Sequence, residues 1–152
     1  MTLPDPICLN VILCDTVIED KRTGKKTLVG VFNEILVTRL PAQHDCMFLF
    51  VSLTNCRGQH DVTIQISREV EEGEQTIVQI NGQINGQNPV EVVDLVFELR
   101  GVPIASAGVY HIDVNAVRTG RRLAQRQFHV RQIAMPPAPP ESPNLPPYES
   151  LS

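Results

Sequence analysis

Apolar and polar side chains alternate through residues 61–70, where Val62, Ile64 and Ile66 interleave with Thr63, Gln65 and Ser67. That is the pattern of a strand with one buried and one wet face. Tyr110, Ile112, Val114 and Ala116 repeat it within residues 109–117. Further apolar runs at 9–19, 27–32 continuing at a changed angle through 35–40, 46–54, 75–81, 90–100 and 122–133 are separated by turn signals. Lys21-Arg-Thr-Gly-Lys-Lys26 is a charged turn whose glycine suits a positive φ, Pro41 stops a run, and Glu71-Glu-Gly-Glu74 is a hairpin tip. Gly30 inside its run predicts a bulge, and the tandem Ile80-Asn-Gly-Gln83 and Ile84-Asn-Gly-Gln87 supplies two Asn-Gly turn signals. About eight strands at roughly 8–12-residue spacing, with no long helical segment, predict an antiparallel β-sandwich of immunoglobulin-like type. Residues 122–133 partly fit a helical period as well. The alternation in Phe128-His-Val130, and the lack of an acidic residue to complete a capping box begun at Thr119, favour strand.

Composition deepens the β reading: Val, Ile and Thr number 18, 12 and 9 against 7 Ala, a balance suited to pleated, half-buried surfaces. The length of 152 residues is that of about one domain, placed at 7–133. Residues 136–147 hold seven of the twelve prolines, so 134–152 is expected to be a flexible, disordered Pro-rich tail. A formal charge of −4 argues against nucleic acid as a partner, and the absence of an 18-residue apolar run argues against a membrane span. The amino terminus lacks a basic region before its apolar stretch, so it does not read as a signal peptide. Cys8, Cys14, Cys46 and Cys56 are accordingly expected to be reduced thiols in a cytoplasmic protein.

Chemical signatures are sparse. His44, Cys46, Cys56 and His60 resemble a zinc set on paper, but the strand between the two halves would hold them about 30 Å apart. Glu69, Glu71, Glu72 and Glu74 cluster on a hairpin tip, where ordinary solvated carboxylates are expected. No nucleophile elbow, phosphate loop or His-Glu-x-x-His motif occurs. The expectation is therefore a non-enzymatic protein without cofactor or metal.

Two surfaces are candidates for binding. Arg118, Arg121, Arg122, Arg126 and Arg131 form a basic run with no acid among them; Arg122, Arg126 and Arg131 are candidate partner contacts, since guanidinium forks suit acidic groups. The outward face of the last hairpin is the other. Matching its apolar sides requires paired residue numbers with an even sum, and a three-residue loop gives 240. That register sets His111 opposite His129 and Asp113 opposite Gln127, a solvent-facing patch of His111, Asp113 and His129 for a polar ligand. Residues 47–50 are apolar on both parities, which asks for cover on both sides of one strand or for self-association.

Leu13-Cys-Asp15, Leu28-Val-Gly-Val-Phe32, Ile35-Leu-Val37 before Pro41, Gly108-Val-Tyr110 and Phe128-His-Val130 resemble a family of small bacterial all-β proteins known only as a domain of unknown function. The resemblance covers about residues 7–132 and implies a fold, with no catalytic residue to carry over. Gly108-Val-Tyr110 is also similar to the entry of a late strand in immunoglobulin-like sandwiches, where a tyrosine hydroxyl pins a corner. The expected function is a protein-interaction or assembly module that uses a sheet edge or loop. The alternative is a ligand-binding sandwich that uses the hairpin face.

Overall fold

The computed structural model describes residues 3–135. The Pro-rich tail expected over 134–152 lies, from residue 136 on, outside them. Nine strands follow in order: β1 (Ile7–Glu19), β2 (Lys26–Val31), β3 (Glu34–Val37), β4 (Ala42–Thr54), β5 (Gly58–Val70), β6 (Gly73–Gly86), β7 (Val93–Ile104), β8 (Gly108–Ala116) and β9 (Arg122–Gln132). They form a four-stranded sheet, β2-β1-β4-β7, and a five-stranded sheet, β3-β9-β8-β5-β6. The protein is all-β, with no helix among the described residues and one strand more than the spacing predicts.

The core lies between the sheets. Met47, Leu49, Val51 and Leu53 of β4 are fully buried, as are Val62, Ile64 and Ile66 of β5, Ile112 and Val114 of β8, and Phe128 of β9. Period-two placement of branched and aromatic side chains is thus what selects strand at each of these positions. Tyr110 and Phe128 stack within the core with ring centroids 5.2 Å apart. The Tyr110 hydroxyl donates to the Ser106 carbonyl at 2.6 Å, so a buried phenol is satisfied by backbone four residues upstream.

All neighbouring strands pair antiparallel except β3, which lies parallel to β9 from Glu34↔His129 to Val37↔Gln132. The chain therefore leaves the four-stranded sheet after β2 and joins the other one. Arg126 ties this crossing down: its guanidinium donates to the Val11 carbonyl at 2.6 Å and to Asn33 Oδ1.

β1 pairs with β4 only as far as Cys14 and with β2 only from Cys14 onward. Were the β1–β2 hairpin to continue in plane, Lys26 would lie about 30 Å from Asp94 along the strand direction. Their charged groups are instead 3.7 Å apart. The hairpin must turn back across the outer face of the four-stranded sheet, and this explains why Ser52, on that face, is buried and bonded to Asp94 at 2.9 Å. Residues 47–50 are apolar on both parities for the same reason: Met47 and Leu49 face the core, while Phe48 and Phe50 are half-buried on the outer face. Gly30 sits where the hairpin bends, with φ +70°, and a Cβ there would come 2.3 Å from Asp15 Oδ2. The β1–β2 register is the same on both sides of Gly30, so no residue is inserted and the predicted bulge is absent. The glycine answers to backbone sign and close approach.

The Asn-Gly tandem also departs from its prediction. Both units lie inside β6, and neither Gly82 nor Gly86 has a positive φ. Ile-Asn-Gly-Gln-Ile-Asn follows a two-residue period, inward then outward. A Cβ on Gly86 would fall 1.9 Å from the Cys56 carbonyl oxygen, so close approach of two backbones selects that glycine.

Candidate functional site

β8 is the middle strand of the five-stranded sheet, and its outward row is His111, Asp113 and Asn115. Ser67, Gln65 and Thr63 of β5 oppose these on one side. On the other side stand Gln127, Gln125 and Arg122 of β9. The result is a floor of hydroxyl, amide and charged groups around one imidazole. His111 Nε2 lies 2.7 Å from Glu69 Oε1 and 3.8 Å from Glu74 Oε1, while Ser67 Oγ donates to Glu74 at 3.4 Å. A carboxylate only accepts, so Nε2 carries the proton and a neutral His111 keeps a lone pair on Nδ1.

That Nδ1 is buried without a hydrogen-bond partner, and so is Oδ1 of Asp113. Arg122 stands 3.7 Å from Asp113 Oδ1, close enough for charge but beyond hydrogen-bond reach. Two buried polar atoms without hydrogen-bond partners thus sit two positions apart on one strand, each an unfavourable burial of a polar group.

The hairpin face differs from its prediction in register and in exposure. The β8–β9 loop has four residues, closed by the Ala116 amide on the Arg121 carbonyl, and a bulge follows between Val114 and Asn115. Together these keep the sum even at 238, so that Tyr110 meets Phe128, His111 meets Gln127 and Asp113 meets Gln125. His129 lies opposite Val109, on the diagonal from His111 and about 7–8 Å away rather than directly across. His111 and Asp113 are buried while His129 is exposed, so the patch is largely sealed. The long polar side chains of β5 and β9 supply that cover, because β8 is central in its sheet.

The arginines do not form one patch. Arg131 grips Glu34 through Nε at 3.1 Å and Nη2 at 2.8 Å, Arg126 is spent on Val11 and Asn33, and Arg118 bonds the Leu3 carbonyl. Of Arg122, Arg126 and Arg131, Arg122 is the one whose guanidinium stands beside the polar floor. The two Cys/His pairs stay apart, with His44 and Cys46 in the first half of β4 and Cys56 and His60 past its end: His44 packs on Phe32 with centroids 6.0 Å apart, and His60 Nε2 bonds the Arg57 carbonyl at 2.8 Å. The four cysteines are free thiols. Burial pushes Cys8, Cys14 and Cys56 above the ordinary thiol range, and the Asp15 charge adds to this at Cys14. Such thiols are poor nucleophiles.

The feature that the turn reading concealed is the outer edge of β6. This strand of 14 residues pairs along its length with β5, and among the described residues no strand pairs with its other edge. Beyond Glu74 it carries no charge and no proline. Gln79, Asn81, Gln83 and Asn85 point outward, and Val78, Ile80, Gly82 and Ile84 inward. Gln65 donates to Gln79 and Thr63 to Asn81, each at 3.4 Å, which aligns the amide ladder with the sheet. The other edges are blunted. β2 has six residues and is interrupted by Gly30; β3 has four and carries the Glu34–Arg131 pair; β7 bears Asp94, Glu98, Arg100 and Pro103. Charge, proline and shortness are the usual protections against strand addition, and β6 lacks all three beyond its first turn. The alternation in residues 78–85 was the available signal.

Residues 9–131 match the model of the family of unknown function DUF6941, and the chain belongs to that family. No curated protein matches the sequence. Among solved structures, the alkylpurine DNA glycosylase AlkC of Pseudomonas fluorescens, bound to DNA containing an abasic site analog, is similar at 13% identity and a TM-score of 0.44 over 65% of this chain and 27% of that one. Beta-glucosidase 3B from Thermotoga neapolitana, in complex with glycerol, is similar at 14% identity and a TM-score of 0.40 over 81% of this chain and 16% of that one. The chain thus spans less than a third of the length of either protein.

Proposed function

We propose that this protein is a non-enzymatic interaction or assembly module on an immunoglobulin-like sandwich, which takes up a partner by strand addition at the outer edge of β6. The observation that carries the reading is that this edge is long and, beyond Glu74, free of charge and proline, while the other three are protected. For the immunoglobulin-like topology, the support is the strand order: β1-β4-β7 against β9-β8-β5-β6 corresponds to strands A-B-E against G-F-C-C′. The Tyr110 bond to Ser106 corresponds to the tyrosine corner at the start of strand F. A cytoplasmic setting accords with four unpaired thiols.

The test is co-purification at native abundance with mass spectrometry, comparing the natural chain with the Asn81→Lys/Gln83→Lys variant. Both positions are exposed, so the variant should keep its fold. A partner recovered with the natural chain and lost from the variant supports the reading; the same recovery from both overturns it.

A second reading, a polar-ligand site on the outward face of the last hairpin, rests on the unpartnered Nδ1 of His111 and Oδ1 of Asp113. With His111 neutral both atoms accept, and the ligand is then a donor such as a polyol or an ammonium group. NMR of the His ring protons with glycerol and with ammonium chloride tests it. A response at His111 that disappears in Asp113→Asn supports this reading, and no response to either probe removes it.

A further inference from the structure

We propose that the strand which docks on β6 is the β6 of a second copy, so that two chains join by an antiparallel two-fold contact and one sheet runs through both. This rests on the strand-addition reading and names its partner. Two identical antiparallel edges oppose the same residues to each other, so a usable edge must be complementary to itself.

β6 has that property on both faces. Residues 75–86 contain no ionisable side chain, so the net charge of −4 brings no like charges together along this contact. On the outward face, a two-fold axis at Asn81 sets Asn81 against Asn81 and Gln79 against Gln83. An amide both donates and accepts, so each can pair with its own kind. Gln79 and Asn81 use their carbonyl oxygens within their own chain, accepting from Gln65 and Thr63, which leaves their NH2 groups to donate across the axis. On the inward face the same axis sets Ile80 against Gly82 and Val78 against Ile84. Ile80 is half-buried within one chain and would stand beside Gly82 of the other, over which Val62, Leu95 and Phe97 of that chain supply an apolar neighbour. No other edge offers a long run free of charge and proline: β7 carries Asp94, Glu98, Arg100 and Pro103, and β2 and β3 are too short.

Sedimentation of the purified full-length chain at about 50 µM tests the proposal. The expected mass is twice 16.9 kDa, falling to 16.9 kDa in Asn81→Lys/Gln83→Lys, with the same circular dichroism in both. Asn81→Cys supplies a readout that does not depend on how the lysines are tolerated. Opposed Cα atoms of an antiparallel pair fall about 4.5–5.5 Å apart, within disulfide range, so mild oxidation should cross-link this variant and leave the natural chain uncross-linked. A natural chain that stays monomeric, or a dimer that persists in the double variant, overturns the proposal. A chain that dimerises only when cut after Met135 also overturns it, because the intact edge would then belong to residues 136–152. A monomer that still loses a native partner on the lysine substitutions overturns the second copy alone, whereas a monomer with no such partner overturns strand addition as well.

Discussion

The two sheets share one core but treat their outer faces in opposite ways. The four-stranded sheet presents Phe48 and Phe50 outward and folds its own β1–β2 hairpin across them, held by Lys26 on Asp94. The five-stranded sheet presents amides, hydroxyls and His111, and covers the centre only with the side chains of neighbouring strands. An apolar outer face has to be covered by chain, and a polar one can be covered by itself. The chain that covers the first face is then unavailable to guard the edge of the second, and among the described residues β6 is left open.

The sharpest way to break this contrast is to cut back adjacent residues of β4. Leu49→Ala should lower unfolding free energy by about 3–5 kcal/mol, because Leu49 is fully buried between the sheets. Phe48→Ala should cost about 1–2 kcal/mol, since a half-buried side chain loses less apolar contact. Urea unfolding compares the two, and equal losses would mean that the hairpin packs as tightly as the core.

Gly30→Ala probes the hairpin bend. Its added Cβ would meet Asp15 at a positive φ, so a loss of about 1–2 kcal/mol is expected. Adding Asp15→Ala should return the steric part but not the φ part. Full recovery would show that φ is not strained there.

Tyr110→Phe belongs to the other sheet and isolates one hydrogen bond. Losing the 2.6 Å bond to the Ser106 carbonyl should cost about 1 kcal/mol and leave the stacked ring in place, as thermal unfolding would show. The smallest effect concerns pH. Folding raises the Cys8, Cys14 and Cys56 thiols above 9.0, so the folded state holds these protons more tightly than the unfolded one. Their contribution is complete below pH 9 and is lost as pH rises through the folded values. The melting temperature should therefore decline above about pH 9, less steeply in Cys14→Ala.

Strands with strict alternation were legible in the sequence: β5 and β8 follow from Val62, Ile64, Ile66 and from Tyr110, Ile112, Val114. The first half of β6 was legible as the run 75–81, but Asn-Gly carries so strong a turn preference that it hides the period-two alternation continuing to Gly86. The hairpin face failed for a different reason. Parity fixed which sides of β8 and β9 coincide, but the four-residue loop and the bulge, not parity, set the sum at 238. The fold-back of the β1–β2 hairpin had no local signal, because it rests on Lys26 meeting Asp94, 68 residues away. The sequence also placed the polar floor but could not show its burial, since burial depends on β8 being central in its sheet.

The parallel pairing of β3 with β9 has a mechanical consequence. Force applied between Glu34 and Gln132 acts along the strand axes, so the four rungs from Glu34↔His129 to Val37↔Gln132 are loaded in shear together. A hairpin pulled from its open end would instead unzip one rung at a time. Tension between these points should meet a stiff clamp, and the Arg131 fork on Glu34 stiffens it at its loaded end.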